Sequence, residues 1–133
     1  MSAKYPIPYK QDQVYFQYNV KDFNRAKSFY MDVLGFETVW DGGEEAGWAE
    51  LALPVTGARL GLNLRREGEI QRGSGTLTLV VEDLDATREY LIGKGVEATE
   101  IEDIPDMVSY FNIDDTEGNA IQIVSDPRVK SSE

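Results

Sequence analysis

Tyr15, Gln17 and Asn19 alternate along VYFQYNV with Val14, Phe16, Tyr18 and Val20, so one strand carries an apolar face and a hydrogen-bonding face without charge. A solvated face would carry Lys or Glu. These amides and the hydroxyl are therefore candidates for lining a cavity, where a ligand or ordered water can supply the partners that buried polar groups need. Asn63 and Arg65 share alternation with Gly61 in a later run, and Arg65 either pairs an anionic ligand or sits at a rim beside Glu50 or Glu67. Trp40, Trp48, Tyr110 and Phe111 are flat side chains near strand ends, suited to the core or to the walls of an aromatic cleft. Trp48 alternates with Glu50 and Tyr110 with Asn112, which leaves Phe111 and Ile113 for the core and makes Trp48 and Tyr110 the better wall candidates.

Much other chemistry is excluded by composition. The chain of 133 residues has no histidine and no cysteine, so the commonest transition-metal ligand, the commonest neutral-pH base and all thiolate chemistry are missing. No Ser-His-Asp or Cys-His arrangement can form, and no phosphate-cradling glycine loop precedes a helix. Asp114, Asp115 and Glu117 lack the spacing of an EF-hand loop and read as a turn. Asp41, Glu44 and Glu45 form an acidic loop that either faces a cation or is simply solvated. The net charge of -11 repels nucleic acid and anionic lipid and favours a cationic ligand at long range, although solubility alone accounts for it. The cysteine-free composition suits a reducing cytoplasm, and no segment reads as a membrane span or signal peptide, so a soluble cytoplasmic protein is expected.

The elements that must position these residues come in two copies. VKDFNRAKSFYMDVLGFE (20–37) returns in degenerate form as VEDLDATREYLIGKGVE (81–97), with Val20, Asp22 and Phe23 matching Val81, Asp83 and Leu84. Each copy pairs a strand with a helix: Asp22 caps the first and Gly35 stops it, while Asp83 or Asp85 caps the second before Gly93-Lys94-Gly95. Strand runs are expected at 14–20, 36–40, 47–54 and 58–66, then at 76–82, 96–101, 107–113 and 120–125. The resulting organisation is an N-terminal arm at 1–13, module one at 14–66, a linker at 67–75, module two at 76–126, and a tail at 127–133 expected to fray. Two such units, each with one bare sheet face, are expected to curl around a shared concavity.

These motifs, ending with DDTEGNAIQIVSD, resemble the glyoxalase/bleomycin resistance/extradiol dioxygenase superfamily, or vicinal oxygen chelate (VOC) proteins, over about 14–126. The resemblance implies an α+β fold of two βαβββ modules forming a cupped mixed sheet, usually in homodimers. It also implies where metal-dependent members place their ligands. The first-strand histidine falls on Tyr15, the histidine opening the second module on Thr76, and the glutamate after the Gly-Asn turn on Gln122. Only Glu50, in WAELAL, is a carboxylate near a plausible inner position.

Tyr, Thr and Gln are poor ligands at neutral pH, so a metal site is not expected. The minority alternative is magnesium or calcium on Gln17, Glu50 and Gln122. The residues at the family's metal positions are instead expected to line a neutral pocket, giving Tyr15, Gln17, Trp48, Glu50, Asn63, Thr76, Thr78, Tyr110, Asn112 and Gln122 as the ligand-binding set. The expectation is a metal-independent binder resembling the bleomycin-resistance branch, holding a cationic or aromatic small molecule in a cleft of a homodimer without a cofactor. The alternative is a glyoxalase/lyase- or dioxygenase-like enzyme with Glu50 as its acid or base.

Overall fold

The computed structural model describes Pro6, Pro8, Asp12 and residues 14–70 and 75–131. Most of the expected arm, part of the linker and the last two tail residues lie outside that set.

Each module is a four-stranded mixed sheet with a helix on one face. The first sheet contains β1 (Val14–Val20), β2 (Glu37–Asp41), β3 (Trp48–Ala52) and β4 (Ala58–Leu64), in the order β1-β4-β3-β2. The second contains β5 (Leu77–Val80), β6 (Glu102–Ile104), β7 (Val108–Asp114) and β8 (Ala120–Ser125), in the order β5-β8-β7-β6. In both, the first strand runs parallel to the last and the other neighbours are antiparallel. This is the duplicated βαβββ arrangement that the repeat implies.

The helices begin where the sequence sets caps. The Asp22 carboxylate accepts from Arg25 N to open α1 (Phe23–Ser28), and Asp83 accepts from Ala86 N to open α3 (Leu84–Gly93), so the cap there is Asp83 and not Asp85. Beyond Ser28 the first helix widens into a π-helical turn, Phe29–Val33. A short helix, α2 (Gly43–Ala46), occupies the stretch read as a turn and acidic loop. Arg66 donates to the carbonyls of Glu44 and Glu45 at 2.6 and 3.0 Å and so satisfies two carbonyl groups of that short element.

The strand expected at 96–101 is not formed. That stretch meets β7 through an isolated bridge between Ala98 and Ile113, with Thr99 N donating to the Asn112 carbonyl and Asn112 N to the Thr99 hydroxyl, and β6 begins at Glu102. The segment after Pro127 is tied down instead of fraying. Arg128 donates to Asp103 and Asp85, its amide donates to the Ser109 hydroxyl, and Ser131 N donates to Asp106.

One core joins the two modules. Tyr18, Val20, Leu51, Leu60 and Leu62 of the first sheet pack with Phe23, Phe29 and Tyr30 of the first helix, and with Leu84, Leu91, Phe111, Ile113, Ile121 and Ile123 of module two. The Tyr18 hydroxyl bridges the junction: it donates to the Ala120 carbonyl at 2.5 Å and accepts from Leu77 N at 2.6 Å. The turn at 114–119 completes the join. Glu117 accepts from Lys21 N, Asp22 N and the Arg25 guanidinium, anchoring the start of α1 to module two. Packing the core between helices and sheets leaves the opposite face of each sheet open.

Candidate functional site

The open face of the first sheet carries Tyr15 and Gln17 from β1, Arg59, Gly61 and Asn63 from β4, and Trp48 and Glu50 from β3. The alternation that buries Leu60 and Leu62, with Ala49 and Leu51, turns these residues the other way. Register sets Gln17 beside Gly61 and Gly61 beside Glu50, with Trp40 of β2 paired to Glu50 on its far side.

Trp48 lies across this surface. A Cβ on Gly61 would meet the indole Cη2 at 2.2 Å, so the indole occupies space that any other residue at 61 would need. Tyr15 meets the indole edge-on, with ring centroids 6.2 Å apart and planes at 66°. The indole N–H donates to Glu50 Oε2 at 3.1 Å, and Arg59 Nη1 donates to Glu50 Oε1 at 3.2 Å. Both carboxylate oxygens are therefore engaged. At the next row Asn63 Nδ2 donates to Asn19 Oδ1 at 3.0 Å.

The guanidinium that faces Glu50 belongs to Arg59 and not to Arg65, which is exposed and lies near Gly68. Sequence reading missed Arg59, although the alternation through Gly61 and Asn63 runs back to it. Of the four aromatics, Phe111 is core, Trp48 is half-buried on the open face, and Trp40 is 51% exposed with its indole against Gly42.

The second sheet offers a more polar surface. Thr78, Gln122 and Asn112 form one cross-strand row, and Gln122 Nε2 donates to Asn112 Oδ1 at 3.3 Å. Tyr110 sits one row along, between Val124 and Glu102. Thr76 lies exposed just before β5, and the Thr78 hydroxyl reaches its carbonyl at 3.5 Å.

Among the described residues, no hydrogen bond, ion pair or ring contact links the first-sheet candidates to the second-sheet candidates. Within one chain the candidates therefore fall in two groups, one on each sheet. Two clefts lie largely away from them. One of about 760 Å³ runs between the first helix and residues 94–99 and includes Asn112; another of about 490 Å³ lies at the β3–β4 turn and includes Arg59.

The residues do not fit the divalent metal that the fold family implies. Among the described residues, no three of His, Cys, Asp or Glu stand close enough to hold an ion. Glu50 is taken by Trp48 and Arg59, and Gln17 and Gln122 stand on different sheets as uncharged donors to any such centre.

Comparison with known proteins agrees with this architecture. TnmS3, an antibiotic binding protein from Streptomyces sp. CB03234, superposes with a TM-score of 0.72 at 25% identity, covering 90% of this chain and 98% of that one. A glyoxalase/bleomycin resistance protein/dioxygenase superfamily member from Sphaerobacter thermophilus gives 0.72 at 23% identity, covering 90% and 98%. A lactoylglutathione lyase from Agrobacterium tumefaciens gives 0.71 at 16% identity, covering 87% and 94%. Among curated proteins, none shows significant sequence similarity. No helix among the described residues is long and apolar enough to cross a membrane. With its duplicated βαβββ modules, and with residues 12–123 matching the family model, this chain belongs to the Glyoxalase/Bleomycin resistance protein/Dioxygenase superfamily.

Proposed function

We propose that this chain is a metal-independent small-molecule-binding protein of the cytoplasm, in which two copies close over the open sheet faces and hold a flat ligand between them. The observation that carries the reading is the Trp48 platform: an indole fixed over Gly61 by its own hydrogen bond to Glu50 and walled by Tyr15. Fixed aromatic faces stack on planar ligands with little loss of side-chain freedom.

The uncovered apolar groups support closure by a second copy. Tyr15 is 51% exposed and Val80 77% exposed on faces that a partner could bury. The likeness to an antibiotic binding protein supports the binding role. A cationic ligand gains less support locally, because Glu50 already has Arg59.

Glu50 with both oxygens engaged is also a poor candidate for the acid or base that an enzyme of this superfamily would need here. The test is isothermal titration of the purified protein with planar aromatic compounds, alongside elemental analysis. Saturable binding at one ligand per closed pair of sheet faces without metal is the expected result. A stoichiometric, tightly bound divalent ion overturns the reading.

A further inference from the structure

We infer that the Trp48 cleft selects neutral planar ligands that carry an oxygen acceptor, which Arg59 holds, over cations of the same shape. This rests on the proposed binding role and adds the ligand's chemical class.

A guanidinium carries five N–H donors in a rigid fork. Arg59 uses Nη1 on Glu50 Oε1 at 3.2 Å, and among the described residues it meets no other acceptor. Its side chain is only 33% exposed, so the remaining donors are partly withdrawn from water. A donor in that setting gains when a ligand oxygen meets it. Arg59 is also the cross-strand neighbour of Tyr15, the residue that meets the Trp48 ring edge-on, so the spare donors and the aromatic wall occupy adjoining positions.

The same pairing works against a cation. Glu50 is the carboxylate beside the indole, and its two oxygens accept from Trp48 Nε1 and Arg59 Nη1, while the other acid on this face, Glu37, lies at the edge strand across Ala52 from Arg59. Arg59 already offsets the Glu50 charge at 3.2 Å, so a cation placed here gains little from that carboxylate and is repelled by the guanidinium. A carbonyl oxygen accepts from that guanidinium instead. The chain's net charge of -11 does not reverse this, because exposed charges are largely screened beyond about 8 Å at physiological salt. Local hydrogen bonding therefore chooses between cations and neutral competitors.

The experiment uses three probes of one shape: ethylnaphthalene, naphthyl methyl ketone and naphthylmethylammonium. Both tryptophans, Trp40 and Trp48, lie on the first sheet, so quenching of their fluorescence reports binding there. The ketone is expected to bind about tenfold more tightly than ethylnaphthalene, the value of one well-placed hydrogen bond, with the ammonium weakest. Arg59→Gln is expected to lower ketone affinity to that of ethylnaphthalene. Arg59→Lys, which keeps the charge but loses the planar fork, is expected to lose most of the preference as well. Equal affinities for ketone and hydrocarbon, or tightest binding of the ammonium, overturn the inference while leaving an aromatic cleft in place. Failure of every probe to quench removes the proposed binding role itself, and this inference with it.

Discussion

Tyr30 and Asp115 stand 85 positions apart and meet in one buried hydrogen bond, the phenol of the first helix donating to Asp115 Oδ2 at 2.7 Å. Asp115 in turn accepts from Asn119 N, Asn119 Nδ2 and Glu117 N, so the carboxylate organises the turn at 114–119 while gripping the other module. Burial, and then the neighbouring Asp115 charge, push the Tyr30 phenol far above its usual range and keep it a donor. Tyr30→Phe removes one bond from a buried carboxylate and is expected to cost about 1–3 kcal/mol of stability, read by urea denaturation. No measurable loss would mean that this bond adds nothing to a junction already held by the shared core, Tyr18 and Glu117.

Gly61 sets the site through what it lacks. Gly61→Ala places a methyl group where the Trp48 indole lies, so the ring must leave its bond to Glu50 and its edge contact with Tyr15. The expected cost is about 1–3 kcal/mol by analogy with other overpacked positions, with a shift in tryptophan emission and weakened ligand binding. An unchanged emission spectrum together with unchanged affinity would show that the indole's position is immaterial.

Acid should loosen the second module through its tail. Hydrogen bonds from Arg128 first, and from Ser109 second, hold the Asp103 carboxyl at about 2, below its usual value of 3.8. A group depressed in the folded state stabilises the fold above its unfolded value and loses that contribution as pH falls through the folded one. The stabilisation from Asp103 is thus full at neutral pH and declines from about pH 4 towards pH 2. Glu117 acts in the same direction: burial pushes its carboxyl up, but the Asp22 amide, Arg25 and the Lys21 amide outweigh that and leave it below its usual range. Thermal melts across this acid range should fall less steeply for Arg128→Ala than for the wild type. Parallel acid limbs would remove the tail pair from the account.

How far the sequence could be read follows from where each signal resides. Asp22 and Asp83 cap helices through bonds three residues away, and Gly35 and Gly95 take the positive φ values, 81° and 85°, that follow helix ends, so these boundaries are visible locally. The open faces were likewise legible from alternation in β3, β4, β7 and β8, whereas in β1 only Tyr18 and Val20 of the expected apolar face are buried, and Val14 and Phe16 are exposed. What failed depended on partners distant in the chain. Residues 96–99 alternate as a strand should, yet the β6–β7 pairing starts with Glu102 opposite Tyr110 and leaves Ala98 with one isolated bridge to Ile113. The helix at 43–46 depends on Arg66, some 20 residues on, for two carbonyl partners. Arg59 and Arg65 look equivalent in an alternating run, and only the β3–β4 register places Glu50 beside Gly61 and within reach of Arg59.

If Glu50 served as a catalytic base, replacing it would abolish any turnover the protein has. In the present account Glu50 orients Trp48 and Arg59, so Glu50→Gln should retain the hydrogen bond from Trp48 Nε1 and weaken aromatic ligand binding by no more than about tenfold. Loss of a defined reaction with ligand affinity intact would favour the enzyme.

The most direct measurement is native mass spectrometry of the protein as purified and after addition of a planar aromatic ligand. The account predicts a dimer that takes up the organic molecule and carries no stoichiometric metal, with uptake unaffected by a chelator. A divalent ion retained at one per subunit, or ligand uptake that disappears on chelation, would contradict it.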